Sequence, residues 1–257
     1  MLKKVLETTV RVKKLPIFTI VSFLIFNVAV FGQQEFEKIT TLETSIQSFT
    51  TDAFRNIYVA TDKNAIIKFD HNGNEQSRFG IREYGRIELI DATNPFKILV
   101  YYNETSQVVI LDNYLSEIST TNLLDLDLIS VASICSSTNN DLWIFDRFNQ
   151  QLLKTNNQFD IAQEGERLFE TLSENIDPNF MLEHNEMIYL NDSTKGIFIF
   201  DAFGNYQKSF PITGLTSFQI INDQLIYFDK GLLKIKNLTL FSDGVLSIPK
   251  HENVTTV

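Results

Sequence analysis

Short apolar runs, separated by Asp, Asn, Gly and Lys, recur along the chain from residue 57 onwards. In residues 56–74 two such runs, 57–60 and 65–69, flank Thr61, Asp62, Lys63 and Asn64, and the stretch closes on Asp70, His71, Asn72 and Gly73. Runs of this length, rich in β-branched and aromatic residues and bounded by turn formers, predict two strands joined as a hairpin. Four echoes follow: 98–102 with 108–112, 142–146 with 151–154, 188–192 with 196–201, and 225–229 with 232–235. With Tyr58, Val100, Trp143, Tyr189 and Ile226 taken as equivalent, the intervals are 42, 43, 46 and 37 residues. A strand-built period near 40 is the length of one propeller blade.

Each hairpin has room for a strand on either side. Candidate inner strands lie ahead at 45–51, 87–91, 129–135, 180–184 and 217–221. More polar candidate outer strands lie behind at 75–79, 117–121, 159–163, 206–210 and either 239–241 or 245–248. The expectation is an all-β propeller of four-stranded blades, five being the favoured count and six the alternative. Residues 36–42 alternate weakly and are expected to pair into the last blade, closing the ring and covering an edge. Residues 164–178 read as a long loop with a helical turn at 166–172.

The run Ile-Tyr-Val-Ala-Thr-Asp-Lys-Asn-x-Ile-Ile-Lys-Phe-Asp-x-x-Gly at 57–73 has a partner in Ile-Tyr-Leu-Asn-Asp-x-x-Lys-Gly-Ile-Phe-Ile-Phe-Asp-x-x-Gly at 188–204. This pattern resembles the NHL-type repeat of six-bladed β-propellers in the TolB-like superfamily, and the resemblance extends over about residues 45–250. It implies a rigid ring of loops of the kind used for partner recognition. The chain departs from the pattern just before the first apolar run, where such repeats often carry Gly and this chain has Arg55-Asn56, Asn140-Asp141 and Asn185-Glu186.

The N-terminus has a different composition. Lys3, Lys4, Arg11, Lys13 and Lys14 precede an apolar run over 17–31, and Val30-Phe31-Gly32 offers a cleavage site before Gln33. Residues 1–32 therefore read as a secretory signal peptide and 33–257 as one mature propeller domain, periplasmic or secreted. The apolar run is shorter than the roughly 20 residues that span a bilayer comfortably, so no stable membrane span is expected after cleavage. Cys135, the single cysteine, lies far from the cleavage site, which argues against a lipoprotein. It has no disulfide partner and is expected to be a packed strand residue. Removing residues 1–32 leaves 17 Lys and Arg against 31 Asp and Glu, a net charge of −14. That balance excludes nucleic acid as a natural partner, because affinity for a phosphate backbone rests on Lys and Arg.

Three residues beyond each aligned position stand Thr61, Asn103, Asp146, Asp192 and Asp229, expected at one end of the ring where the second strand turns into the third. Their oxygens are candidates to greet a polar ligand or a divalent cation such as Ca2+; equally, Asp and Asn in turns bond their own backbone. A second series, Asp70, Asp112, Asn156 and Asp201, precedes the next turn and is expected to cap it. His71, His184 and His251 lack metal-ligand spacing, and no nucleophile elbow, phosphate loop or dinucleotide fingerprint is present. No catalytic residue and no cofactor are assigned. Of 22 Phe and 8 Tyr, most are expected between blades; Tyr101, Tyr102, the 79–84 segment and Phe148 are candidate partner anchors. Asp192-Ser193-Thr194 resembles an acceptor for bacterial O-glycosylation at Ser193. The functional expectation is a monomeric, non-catalytic binding or scaffolding module of the cell envelope, its partner an envelope protein or a glycan. One alternative is a metal-dependent hydrolase or lyase using Asp146, Asp192 and Asp229 at the channel mouth; a second is a glycan-binding propeller.

Overall fold

The computed structural model describes residues 40–138, 140–240 and 242–246. The expected signal peptide, residues 36–39 of the expected closing strand, and His251 lie outside the described residues. Five four-stranded antiparallel sheets form among the described residues, each a meander in sequence order. Blade 1 is β1 (Ser48–Thr51), β2 (Ile57–Ala60), β3 (Ile66–Phe69) and β4 (Glu75–Phe79); blade 2 is β5 (Leu89–Asp91), β6 (Ile98–Tyr102), β7 (Gln107–Leu111) and β8 (Glu117–Asn122). Blade 3 is β9 (Val131–Ser136), β10 (Leu142–Asp146), β11 (Gln151–Thr155) and β12 (Ile161–Arg167); blade 4 is β13 (Phe180–His184), β14 (Met187–Asp192), β15 (Gly196–Phe200) and β16 (Tyr206–Phe210). Blade 5 is β17 (Gln219–Ile221), β18 (Gln224–Asp229), β19 (Leu232–Asn237) and β20 (Asp243–Leu246). Among the described residues the α-helix is confined to one turn, α1 (Leu168–Leu172). The architecture is a five-bladed β-propeller.

The middle strands are buried on both faces because each blade packs between neighbours. Tyr58, Ala60 and Ile66 of blade 1 meet Val100, Tyr102 and Val109 of blade 2. Leu99, Tyr101 and Val108 on the opposite face of blade 2 meet Ile134, Ile144 and Leu153 of blade 3. Trp143 and Phe145 meet Ile188, Leu190 and Phe200, and Tyr189, Ile197 and Ile199 meet Leu225 and Tyr227. Such faces explain why β2, β6, β10 and β14 read as unbroken apolar runs rather than alternating ones. Outer strands such as β4, exposed along much of their length, carry Glu, Gln and Arg.

The structure also shifts several expected boundaries. Phe159 and Asp160 form a turn, and β12 begins at Ile161 and runs on to Arg167, so part of the expected loop at 164–178 is strand. Two register shifts along β12 let this polar strand follow β11. The last outer strand is Asp243–Leu246, which overlaps the second expected alternative at 245–246 and begins two residues earlier. In blade 2 the alignment slips by one residue: Tyr58, Trp143 and Tyr189 pack forward onto the next blade, whereas Val100 packs back onto blade 1. A one-residue slip reverses the face of every side chain in a strand. Asn103 is therefore out of step with the other four positions of its series.

In blades 1 to 4 the turns between third and fourth strands share one construction. The Oδ1 atoms of Asp70, Asp112, Asn156 and Asp201 each accept from the backbone N–H groups two and four residues on. The fourth residue of the turn has positive φ: Gly73 at 85°, Gly204 at 77°, but Leu115 at 62° and Phe159 at 68°. Capping by Asp and Asn was legible in the sequence; the two bulky residues in left-handed backbone were not.

Candidate functional site

In a meander blade, the turns joining strands one to two and three to four lie at one end, here called upper. The turns joining strands two to three and the links between blades lie at the other, lower end. Thr61, Asn103, Asp146, Asp192 and Asp229 all fall at the lower end, as their spacing predicts, but each is engaged within its own blade or the link beside it. Thr61 exchanges hydrogen bonds with the Ala65 backbone. Asn103 accepts from the Tyr101 hydroxyl at 3.1 Å. Asp146 accepts from the N–H of Phe148 at 2.9 Å and the amide of Asn149 at 2.6 Å. Asp192 accepts from the Thr194 N–H and hydroxyl, and from the N–H of Lys195 and Asp177. Asp229 pairs with Lys234 at 2.7 Å.

The electrostatics follow those bonds. Burial works to raise the Asp192 carboxyl, but the four donors outweigh it and hold the group below the usual carboxylate range. The Lys234 ammonium bond holds Asp229 down likewise. Among the described residues no three His, Cys, Asp or Glu side chains gather where a metal ion would sit. The three carboxylates expected to serve a hydrolase or lyase, Asp146, Asp192 and Asp229, belong to the turns of three successive blades. Ser193 is exposed at the apex of the blade 4 turn, beside the Thr194 hydroxyl that Asp192 holds at 2.7 Å.

The larger concavity belongs to the upper end. A channel cavity of about 600 Å³ opens among the innermost strands β1, β5, β13 and β17 and their upper turns. Its walls combine Leu89, Leu182 and Ile220 with Thr50, Thr93 and Gln219, and its mouth carries Asp52, Asp91, Glu183, His184 and Arg55. These inner strands are sheet edges, so their free backbone groups line the space.

The mouth carboxylates are held by local bonds at Asp52 and by bonds between blades at Asp91 and Glu183. Asp52 takes the N–H groups of Phe54 and Asn56 and, at 3.0 Å, the Tyr58 hydroxyl. Burial and that bond push the Tyr58 phenol upward. Asp91 accepts from the Ser136 N–H of blade 3 at 2.7 Å. Glu183 of blade 4 receives the indole N–H of Trp143 at 2.7 Å and the Ser137 hydroxyl at 2.6 Å, both from blade 3. His184 meets Asp223 of blade 5 at 2.9 Å. Cys135, 1% exposed in this zone, is the packed strand residue its sequence context predicts; burial, then Asp91 and Glu183, push its thiol well up. It is a poor nucleophile there.

The upper end also exposes a pair of aromatic rings beside the channel mouth. Phe54 and Phe96, in equivalent turns of blades 1 and 2, are 58% and 60% exposed and stack edge to face with ring centres 5.8 Å apart. Both look like ordinary loop residues in the sequence, and only the ring brings them together. Of the anchors expected from sequence, Tyr101 and Tyr102 are buried at the blade 2 faces, Phe79 and Tyr84 are partly buried, and Phe148 is 84% exposed at the lower end. Ile129, 83% exposed, lies near Phe148, since the Arg147 N–H bonds the Ser130 carbonyl at 2.8 Å.

No family model matches the sequence, and no curated protein matches it. Solved structures do. The chain is similar to a catalytically inactive virginiamycin B lyase from Staphylococcus aureus determined with quinupristin, with TM-score 0.58 and 14% identity over 85% of this chain and 74% of that one. It is similar to a chain of a nidogen/laminin complex, with TM-score 0.55 and 13% identity over 76% of each chain. A Pan2 WD40 domain from Neurospora crassa gives TM-score 0.56 and 10% identity over 78% of this chain and 65% of that one. At these identities the likeness is one of fold, and the fold is the β-propeller.

Proposed function

We propose that this chain is an exported, non-catalytic β-propeller whose upper end recognises a partner protein in the cell envelope. Export rests on the basic and apolar character of residues 1–32 and the cleavage pattern at 30–32. The observation that carries the recognition reading is the exposed Phe54–Phe96 pair beside the channel mouth. A stacked aromatic pair left in water by a folded ring is unfavourable alone and favourable once a partner covers it. The carboxylates around it are already engaged in structural bonds, so they frame the surface rather than act on a substrate. The nidogen/laminin complex shows the same fold in a protein–protein assembly.

The test is affinity capture from envelope extract of the native host, with the wild-type chain and with Phe54→Ala as bait. Covering a half-exposed Phe contributes roughly 1–2 kcal/mol. The variant is expected to bind the captured protein about tenfold more weakly with its melting temperature nearly unchanged. Repeated capture of nothing by the wild-type chain, or equal capture by both, contradicts the reading.

A further inference from the structure

A second concavity opens at the upper end, at the junction of blades 2 and 3, with a volume of about 200 Å³. We propose that it binds a single ring of a neutral sugar, with Phe159 as the stacking wall and asparagine amides as the hydroxyl-reading rim. The inference rests on reading the upper end as a recognition surface, but it uses residues other than Phe54.

The first reason is the backbone at Phe159. This residue occupies the turn position that blades 1 and 4 fill with Gly73 and Gly204, and it holds φ at 68°. A bulky residue in left-handed backbone costs roughly 1–2 kcal/mol, and such costs concentrate at functional positions. Leu115 occupies the same position in blade 2, yet it is 3% exposed and fills the core between blades 1 and 2. Phe159 is only partly buried, and its remaining surface forms part of the cavity wall. Packing accounts for Leu115 fully and for Phe159 in part.

The rim supplies the second reason. Asn94, Asn140 and Asn157 line the opening, and the Asn94 amide spans the blades to Asn140 Oδ1 at 3.1 Å. Asn140 Nδ2 and the Asn157 amide have no hydrogen-bond partner among the described residues. An amide presents a donor and an acceptor side by side, which matches a hydroxyl that both donates and accepts. An aromatic face beside such amides suits the apolar C–H face of a pyranose.

Size and charge narrow the class. The volume is below the 300–1,000 Å³ typical of sites for drug-sized ligands, which fits one ring. Lys97 and Asp141 are the charged groups in the lining, one of each sign, so the rim favours a neutral ligand.

Saturation-transfer NMR on the mature chain tests this with methyl glycosides of glucose, galactose, mannose and N-acetylglucosamine at millimolar concentration. At least one glycoside is expected to show transfer with wild type. Phe159→Gly should weaken it about tenfold or more; the lost packing lowers the melting temperature, partly offset because Gly suits this φ, so binding is read well below that temperature. Asn157→Ala, at an exposed position, should weaken binding several-fold without touching the core. Phe54→Ala should leave sugar binding intact, which separates this site from partner capture. Absence of transfer from all four glycosides, or transfer unchanged in both Phe159→Gly and Asn157→Ala, overturns the proposal.

Discussion

Tyr102 packs between blades 1 and 2 with 0% exposure, and its hydroxyl has no hydrogen-bond partner in the structure described. Burial, with smaller contributions from Tyr84 and Glu117, pushes its phenol up to about 12. The ring earns its place by packing, edge to face with Tyr84 at 5.3 Å between centres. Removing only the oxygen relieves a buried unpaired group, so Tyr102→Phe should be neutral or stabilising by up to ~1.5 kcal/mol, read from the urea midpoint at unchanged slope. A loss of more than about 1 kcal/mol would mean that the hydroxyl has a partner. Asp192 is the opposite case, a buried carboxylate with four donors. Its folded-state pKa is depressed, so the charged form favours folding. That contribution is fully present above the unfolded value near 3.9 and is lost as pH falls through the folded pKa. Urea midpoints of the wild type should therefore fall between about pH 4 and the acid limit. Asp192→Asn should flatten that part of the curve; an identical acid slope in the variant would remove Asp192 from the account.

At the scale of elements, the contact between β12 and the blade 4 turn is a close backbone constraint between blades. A Cβ placed on Gly165 would stand 2.5 Å from the Gly204 carbonyl oxygen, and one on Gly204 would stand 2.9 Å from Gly165 Cα. Both obstacles are backbone, which cannot rotate away. Across the same junction the Tyr206 N–H donates to the Glu166 carboxylate. Gly204→Ala combines this overlap with a positive φ, and its expected cost is about 2–4 kcal/mol. The measurement is chemical denaturation; a cost under about 0.5 kcal/mol would show that the two blades separate freely there. The Gly at 204 was readable as a turn residue, but its role in blade spacing was not, because Gly165 lies 39 residues earlier in a polar stretch. From residue 164 the same stretch read as loop because Glu164, Glu166 and Arg167 offer no apolar face. Its hydrogen bonds to β11, not its composition, make it a strand. Strands β2, β4, β6, β10, β13 and β16 were legible to the residue, since their composition and bounding turns agreed.

For the whole molecule, the repeat period carried the architecture: twenty strands in five blades follow from where the apolar runs fall. The candidate site was less legible. Position three after the aligned residue led to the lower-end turns, whose Asp and Asn side chains are absorbed by local bonds. The upper-end features depend on residues from different blades meeting. Phe54 and Phe96 are 42 residues apart, and so are Trp143 and Glu183 in all but two positions, separations at which a single sequence gives no contact signal. Asp91 and Glu183 at the mouth thus bond across blades, while the aromatic pair stays exposed. Site-specific photocross-linking in the native envelope tests this most directly, with a benzophenone side chain placed in turn at positions 54, 96 and 148. The account predicts one common cross-linked protein from 54 and 96 and none of it from 148, at the lower end. Cross-links from 148 alone, or from none of the three, would contradict it.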